Sequence, residues 1–262
     1  MTIASIADQL SPVQRLMYRQ APDAGFFAAF KSAYADYATA AGDTAQVSQA
    51  SSEPSAPDRL LAELLGQTHT ELSARRGVSQ DDQAAYAAIL DRAYREGAMA
   101  DPVGFLRGLS REDLAVVQRN HCLAQAIDPN VLSREGAYNL LLPEGYGVDF
   151  NKDDLLEVGI ARSVQFPPAD APEAFVKDWF AATEGMSEMD AATYGLVMFT
   201  AMHTLPIGDQ ALVRRMATDD VDSYRRVVAD YLAMLERFQG QLPDGQYERD
   251  KSFFTRLQTL LG

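Results

Sequence analysis

The segment from Val221 to Leu242 constrains the fold more than any other part of the sequence. Its apolar residues recur at alternating intervals of three and four: Val221, Tyr224, Val228, Tyr231, Leu235, Phe238 and Leu242. This spacing places them on one side of a long α-helix. Three flanking apolar residues widen that side, namely Val227, Leu232 and Met234. Because a wide stripe suits a helix in a bundle, the pattern predicts a core helix in preference to a seam for a partner helix.

Helix signals continue along the rest of the chain. In four places a Ser or Asp is followed three residues later by a carboxylate, starting at Ser79, Ser110, Asp170 and Ser187. Each pair predicts an N-cap followed by an acidic first turn. Apolar residues at helical spacing also occur before, between and after these caps. One such set is Met189, Ala192, Leu196 and Phe199.

Two stretches interrupt the helical pattern. Residues 41–57 are rich in Ser, Ala, Gln and Pro and have no apolar period, which predicts a flexible linker or loop. Residues 145–169 contain two runs of alternating apolar residues, 146–150 and 158–166, separated by the polar turn sequence 151–154. Such alternation around a turn predicts a β-hairpin or an extended excursion.

The predicted fold class is therefore all-α or nearly so. We expect a multi-helix domain with orthogonal or bundle-like packing and a small β-hairpin excursion near 146–166. The predicted organisation is an N-terminal helical segment (1–40), the linker (41–57) and a main helical domain (58–262) that contains the excursion at 145–169.

The charge of the chain argues against whole classes of partner. Among 262 residues, 23 are Lys or Arg and 37 are Asp or Glu, which gives a net charge of −14. Such a chain offers no basic surface for nucleic acid or for an anionic membrane. Its one cysteine, Cys122, allows no intramolecular disulfide, and residues 1–15 lack the pattern of a signal peptide. We therefore expect a cytoplasmic protein that binds neither nucleic acid nor membrane.

Motif spacing assigns no catalytic residues. The three histidines, His69, His121 and His203, have no metal-ligand spacing among themselves or with Cys or carboxylates. His121 and Cys122 are adjacent in sequence and point in different directions on a helix, so the imidazole is badly placed to activate the thiol. No phosphate-binding glycine loop or nucleophile elbow is present. Whether the protein is an enzyme stays open, because carboxylates from distant positions can form a pocket.

An aromatic stripe near the N-terminus is a candidate for partner binding. On a helix, its residues share one arc of about 100°: Phe26, Phe27, Phe30, Tyr34 and Tyr37. Such a stripe must be buried against something. Docking on the chain's own domain is favoured, and the alternative is a partner-binding face formed by Phe26, Phe30, Tyr34 and Tyr37.

A second candidate site lies in the turn of the excursion. Its residues resemble the first half of an EF-hand calcium loop: Asp149, Asn151, Asp153 and, at loop position nine, Glu157. The pattern departs from that loop at position six, where Asp154 replaces Gly, and at position twelve, where Ile160 replaces the bidentate Glu. A hydrogen-bonded turn explains the same residues. We therefore expect at most weak calcium binding and no other cofactor.

The leading functional hypothesis is a non-catalytic protein-interaction or regulatory protein, with a protein partner or a second copy of itself. One alternative is an enzyme that uses scattered carboxylates in a helical pocket. Another is a weak divalent-cation-binding protein acting through residues 149–157. A shallow apolar groove would favour the interaction hypothesis, whereas a pocket holding carboxylates of strongly shifted pKa would favour the enzyme.

Overall fold

A computed structural model describes residues 10–44, 55–204 and 212–262, and this part of the chain is mostly helical. These described residues are 61% helical and form twelve α-helices and two small antiparallel two-stranded sheets. The predicted fold class is thus confirmed. None of the helices in the described ranges combines the length and apolar character needed to cross a membrane.

The elements of the described residues are eight α-helices, four strands and four further α-helices. The first eight helices are α1 (Pro12–Met17), α2 (Phe26–Thr44), α3 (Ala56–Leu65), α4 (Gln67–Arg76), α5 (Gln80–Glu96), α6 (Pro102–Arg107), α7 (Arg111–Asn120) and α8 (Arg134–Asn139). The strands are β1 (Leu155–Val158), β2 (Ala161–Val164), β3 (His203–Thr204) and β4 (Val213–Arg214). The remaining helices are α9 (Glu173–Ala182), α10 (Glu188–Met202), α11 (Val221–Phe238) and α12 (Gln246–Leu261).

The chain divides into two compact units whose boundaries differ from the predicted ones. The N-terminal unit comprises residues 19–150 and 156–163, and the C-terminal unit comprises the described parts of 1–18, 151–155 and 164–262. The predicted division into 1–40, 41–57 and 58–262 does not coincide with these two units. The physical reason is that the aromatic face of α2 packs on the core that α3 and α5 also build.

The predicted linker 41–57 is shorter than expected at both ends. Helix α2 continues to Thr44, and α3 begins at Ala56 behind the N-cap Ser55. The Ser55 hydroxyl accepts from the Asp58 N–H, and the Asp58 carboxylate accepts from the Ser55 N–H, which closes a reciprocal cap. Residues 45–54 of the predicted linker lie outside the described residues.

Most of the predicted helix starts are confirmed by their caps. Ser79, Ser110 and Ser187 each accept a hydrogen bond from the backbone N–H three residues later. Asp170 is the exception, because α9 begins after Pro172 without a side-chain cap. The Asp170 carboxylate instead accepts from the Thr218 hydroxyl at 2.6 Å.

The core of the C-terminal unit contains the seam that the sequence predicts on α11. Tyr224, Val228 and Leu235 are buried, whereas Phe238 marks the exposed end of the helix. The Tyr224 ring stacks on Phe175 of α9 with centroids 3.5 Å apart. Helix α1 joins this unit through Gln14, whose amide donates to the Phe180 carbonyl at 2.6 Å.

Helix α10 buries a different side from the one its spacing predicts. Of the predicted set, Phe199 is buried, whereas Met189 and Leu196 are exposed. The other buried residues of the helix include Tyr194, Met198 and Met202. The helix is apolar on all sides, so periodicity alone could not identify the side that faces the core.

The β-hairpin lies within the predicted range but has different strands. The structure pairs β1 with β2 across the two-residue turn Gly159–Ile160, and the predicted strand 146–150 forms only an isolated bridge between Tyr146 and Gln20. Gly159 has a φ of 63° at the first turn position, where type II′ hairpin turns favour glycine. The second sheet, in which His203 pairs with Arg214, was not predicted.

Candidate functional site

The aromatic stripe packs inside the N-terminal unit. Phe30 is 3% exposed, and the rings of Phe26, Phe27 and Phe30 lie 4.9–6.1 Å from the ring of Tyr94. Tyr34 and Tyr37, half-buried, pack against the same core. This packing agrees with the favoured alternative of docking on the chain's own domain. Partner binding by the same face stays a prediction.

The four candidate calcium ligands are divided between the two units. In the C-terminal unit, the Asn151 side chain accepts from the Asp153 N–H at 3.0 Å, and the Asp153 carboxylate accepts from the Leu155 N–H at 2.9 Å. In the N-terminal unit, Asp149 is buried, and Glu157 accepts from the Arg162 guanidinium at 2.7 Å. The local bonds are those of a polar turn.

Within the described ranges, no group of three or more His, Cys, Asp or Glu side chains is placed to hold a metal ion. The Arg162 guanidinium already occupies one oxygen of Glu157. Weak calcium binding by these residues stays a prediction.

A buried ionic cluster in the N-terminal unit was not predicted. Glu144 accepts from Arg19 and from Arg76, one guanidinium on each carboxylate oxygen, both at 2.7 Å. Burial by itself would raise the pKa of Glu144, but Arg19, His121 and Arg76 outweigh it and lower that pKa to about 2. A carboxylate of this pKa is a poor acid or base at neutral pH, so the cluster holds the 143–146 turn in place.

Two buried histidines surround this cluster. The Nδ1 atom of His69 accepts from the Glu144 backbone N–H at 3.2 Å, and its Nε2 lies 3.2 Å from the Asn120 Oδ1. The Nε2 atom of His121 lies 2.9 Å from the Tyr86 hydroxyl, which donates to the Leu142 carbonyl at 2.7 Å. Burial lowers the pKa of His121 and lowers that of His69 to about 4. Both rings are thus satisfied core groups.

A second ionic cluster lies in the C-terminal unit around Asp154. Its carboxylate oxygens lie 2.9 Å from His203 Nε2 and 2.8 Å from Arg214 Nη2. The other guanidinium nitrogen of Arg214 donates to Asp170 at 3.0 Å. Asp154 is 1% exposed and His203 is 2% exposed, so this cluster joins buried segments of the C-terminal unit.

One feature that offers space for a partner is an apolar cleft in the N-terminal unit. It has a volume of about 360 Å³ and lies between the connection from α7 to α8 and the tip of the β-hairpin. Its apolar side chains are Leu123, Ile127, Val131, Leu132 and Ile160, together with three alanines. Val131 is 65% exposed and Ile160 is 56% exposed. Asp128 is the one charged residue in this lining.

Helix α8 fixes the hairpin that forms one side of the cleft. The two oxygens of Glu135 accept from the backbone N–H groups of Phe150 and Glu157, at 2.8 and 2.9 Å. The Asn139 amide donates to the Glu157 carbonyl at 2.8 Å. The Gly159 N–H donates to the Gly136 carbonyl at 3.0 Å. These bonds hold the base and the tip of the hairpin, so the cleft is formed before a partner arrives.

Substituting Gly136 should test this support. A Cβ atom at Gly136 would lie 2.0 Å from the Gly159 carbonyl oxygen, so the backbone must move. We expect Gly136→Ala to lower the free energy of unfolding by ~1–3 kcal/mol, measured by urea denaturation. Gly42→Ala is the matched control, because a Cβ atom at Gly42 in α2 would meet no atom within 4 Å apart from the backbone of its own helix and its two neighbours. Equal stability of Gly136→Ala and the wild type would contradict the close contact.

No pattern in the sequence predicts that the residues of the cleft lie close together. The alternating pattern makes Ile160 part of a strand, whereas the structure places it in the two-residue turn beside residues 123–132. The interpretation of the cleft rests on its own geometry, since no protein-family model, no curated protein and no solved structure matches the chain.

Proposed function

We propose that this chain is a non-catalytic protein-interaction protein and that the cleft beside the β-hairpin is its contact surface. The observation that carries the proposal is an open aliphatic cleft whose hairpin side is held by hydrogen bonds to α8. Val131 and Ile160 are more than half exposed at its border. Single exposed aliphatic residues are ordinary, but exposed aliphatic residues around one concave site favour an interaction surface.

The chemistry of the cleft favours a protein over a small molecule. Small-molecule sites place several polar groups around an apolar cavity to orient the ligand. Among the residues that line this cleft, only Asp128 is charged. Its carboxylate already accepts hydrogen bonds from the backbone N–H and the side-chain amide of Asn130. An apolar side chain from a partner protein suits such a cavity, because it needs burial more than orientation.

The charge and the thiol of the chain support a cytoplasmic location and a partner that is not nucleic acid. The net charge of −14 opposes binding to phosphate backbones. Cys122 is exposed and unpaired, as suits a reducing compartment.

The proposal is tested by comparing the proteins that three forms of the chain capture from a lysate, measured by quantitative mass spectrometry. Ile160→Asp places a charge in the cleft, and we expect it to reduce capture of the true partner at least tenfold, a loss of about 1.4 kcal/mol. Leu196→Asp is the matched control, since Leu196 is a 51% exposed aliphatic residue on α10.

Both substitutions are on the surface, so the stability of each variant should stay within about 0.5 kcal/mol of the wild type. Capture that survives Ile160→Asp, or that falls equally in Leu196→Asp, would contradict the assignment of the cleft.

A further inference from the structure

The hairpin beside the cleft has an open edge. Within the described residues, β1 and β2 form a sheet of two strands, and all four residues of β2 are exposed. A strand with one unpaired edge presents backbone N–H and C=O groups that another chain can pair with. In the N-terminal unit this edge comprises residues 161–163.

The register of the hairpin identifies which backbone groups point outward. The two-residue turn at 159–160 sets Val158 opposite Ala161 and Glu157 opposite Arg162. Both backbone groups of Glu157 point away from β2, because they bond to Glu135 and Asn139 of α8. In an antiparallel pair, opposite residues at such a position point their backbone groups away from each other. The N–H and C=O of Arg162 therefore point to the open edge.

The open edge and the cleft meet at one residue. Ala161 begins β2 and also lines the cleft. From these observations we infer that the partner contributes an extended segment, which pairs with the open edge of β2 as a third strand and inserts an aliphatic side chain into the cleft. This inference rests on the proposed function and names the kind of partner that the same site takes.

Charge specifies the partner segment further. The Arg162 guanidinium is held by Glu157 at 2.7 Å, so the positive charge on β2 is already neutralised. The charged residue in the cleft lining is the acidic Asp128, on a chain of net charge −14. A segment with Lys or Arg beside its aliphatic residue complements this surface. A second copy fits less well, because two copies bring like net charges together.

The test uses a phage library of random twelve-residue peptides, selected on the purified full chain and counter-selected on Ile160→Asp. We expect enriched peptides in which aliphatic residues alternate with other residues, accompanied by Lys or Arg. A synthetic copy of the best peptide is then methylated at one backbone nitrogen at a time. Alternate N–H groups of an added strand face β2, so methylation of these should weaken binding at least tenfold. Methylation of the N–H groups that face away should have little effect. The Arg162 amide should become protected from hydrogen exchange, and Leu196→Asp should bind as the wild type does.

Other results would overturn the inference in distinguishable ways. Peptides that need Ile160 but carry apolar residues at intervals of three and four would show a helical partner, which refutes the added strand and leaves the proposed function standing. A wild-type dimer in analytical ultracentrifugation that Ile160→Asp abolishes would show that the occupant is a second copy. If no enriched peptide depends on Ile160 and the capture experiment also fails, the cleft is not a contact surface and both proposals fall.

Discussion

Acidification from pH 7 to pH 2 should destabilise the protein in two successive steps, each of about 3 kcal/mol. The first step belongs to His69, whose pKa burial lowers from 6.5 to about 4. Between these values the unfolded chain carries the proton and the folded chain does not, so stability falls as the pH falls from 6.5 to 4. A difference of 2.5 pKa units corresponds to ~3 kcal/mol. Burial lowers the pKa of His121 as well, and this acts in the same direction.

The second step belongs to Glu144. Its pKa falls from 4.5 to about 2, because Arg19, His121 and Arg76 outweigh the opposite effect of burial. The stability that the folded carboxylate provides is complete above pH 4.5 and is lost as the pH falls from 4.5 to 2. This loss is again ~3 kcal/mol. At pH 2 the fold therefore retains neither contribution.

Urea denaturation at intervals of half a pH unit measures both steps. His69→Asn preserves an acceptor for the Glu144 N–H and should remove most of the slope between pH 6.5 and 4. Glu144→Gln should remove the slope between pH 4.5 and 2. A free energy of unfolding that stays constant from pH 7 to pH 4 would contradict the burial of neutral His69.

Truncation of Leu235 should cost ~2–5 kcal/mol of unfolding free energy. Leu235 is 1% exposed in the core of the C-terminal unit, so Leu235→Ala leaves a cavity among packed side chains. Phe238→Ala is the control from the same sequence pattern. Phe238 is 36% exposed at the end of α11, and its truncation should cost clearly less. Similar losses for both variants would contradict the assignment of the seam's buried part.

The elements that sequence predicted well are those with local signals. Ser79, Ser110 and Ser187 act as caps because the bonded N–H lies three residues away. The seam of α11 is recognisable because one side of the helix is apolar and the other is charged. Helix α10 lacks that contrast, so the exposure of Met189 and Leu196 had no sequence signal.

The sites depend on contacts between distant parts of the chain. Glu144 meets Arg76 across 68 residues and Arg19 across 125 residues, and no spacing rule spans such distances. The alternating pattern predicts the hairpin in the right range but with different strands. Alternating apolar residues predict a strand at 146–150, whereas the two-residue turn that begins at Gly159 fixes where β1 ends and β2 begins.

The interleaved course of the chain has a consequence for its folding during synthesis. Helix α1 contains Gln14, whose side chain bonds to the Phe180 carbonyl, 166 residues later. At ribosomal rates of about 5–20 residues per second, Phe180 is made roughly 8–33 s after Gln14. Throughout that interval the apolar residues near α1 lack the core they later join. In a nascent chain of this protein, α1 is thus expected to stay undocked while the N-terminal unit is being made and to dock only after α9 has left the ribosome.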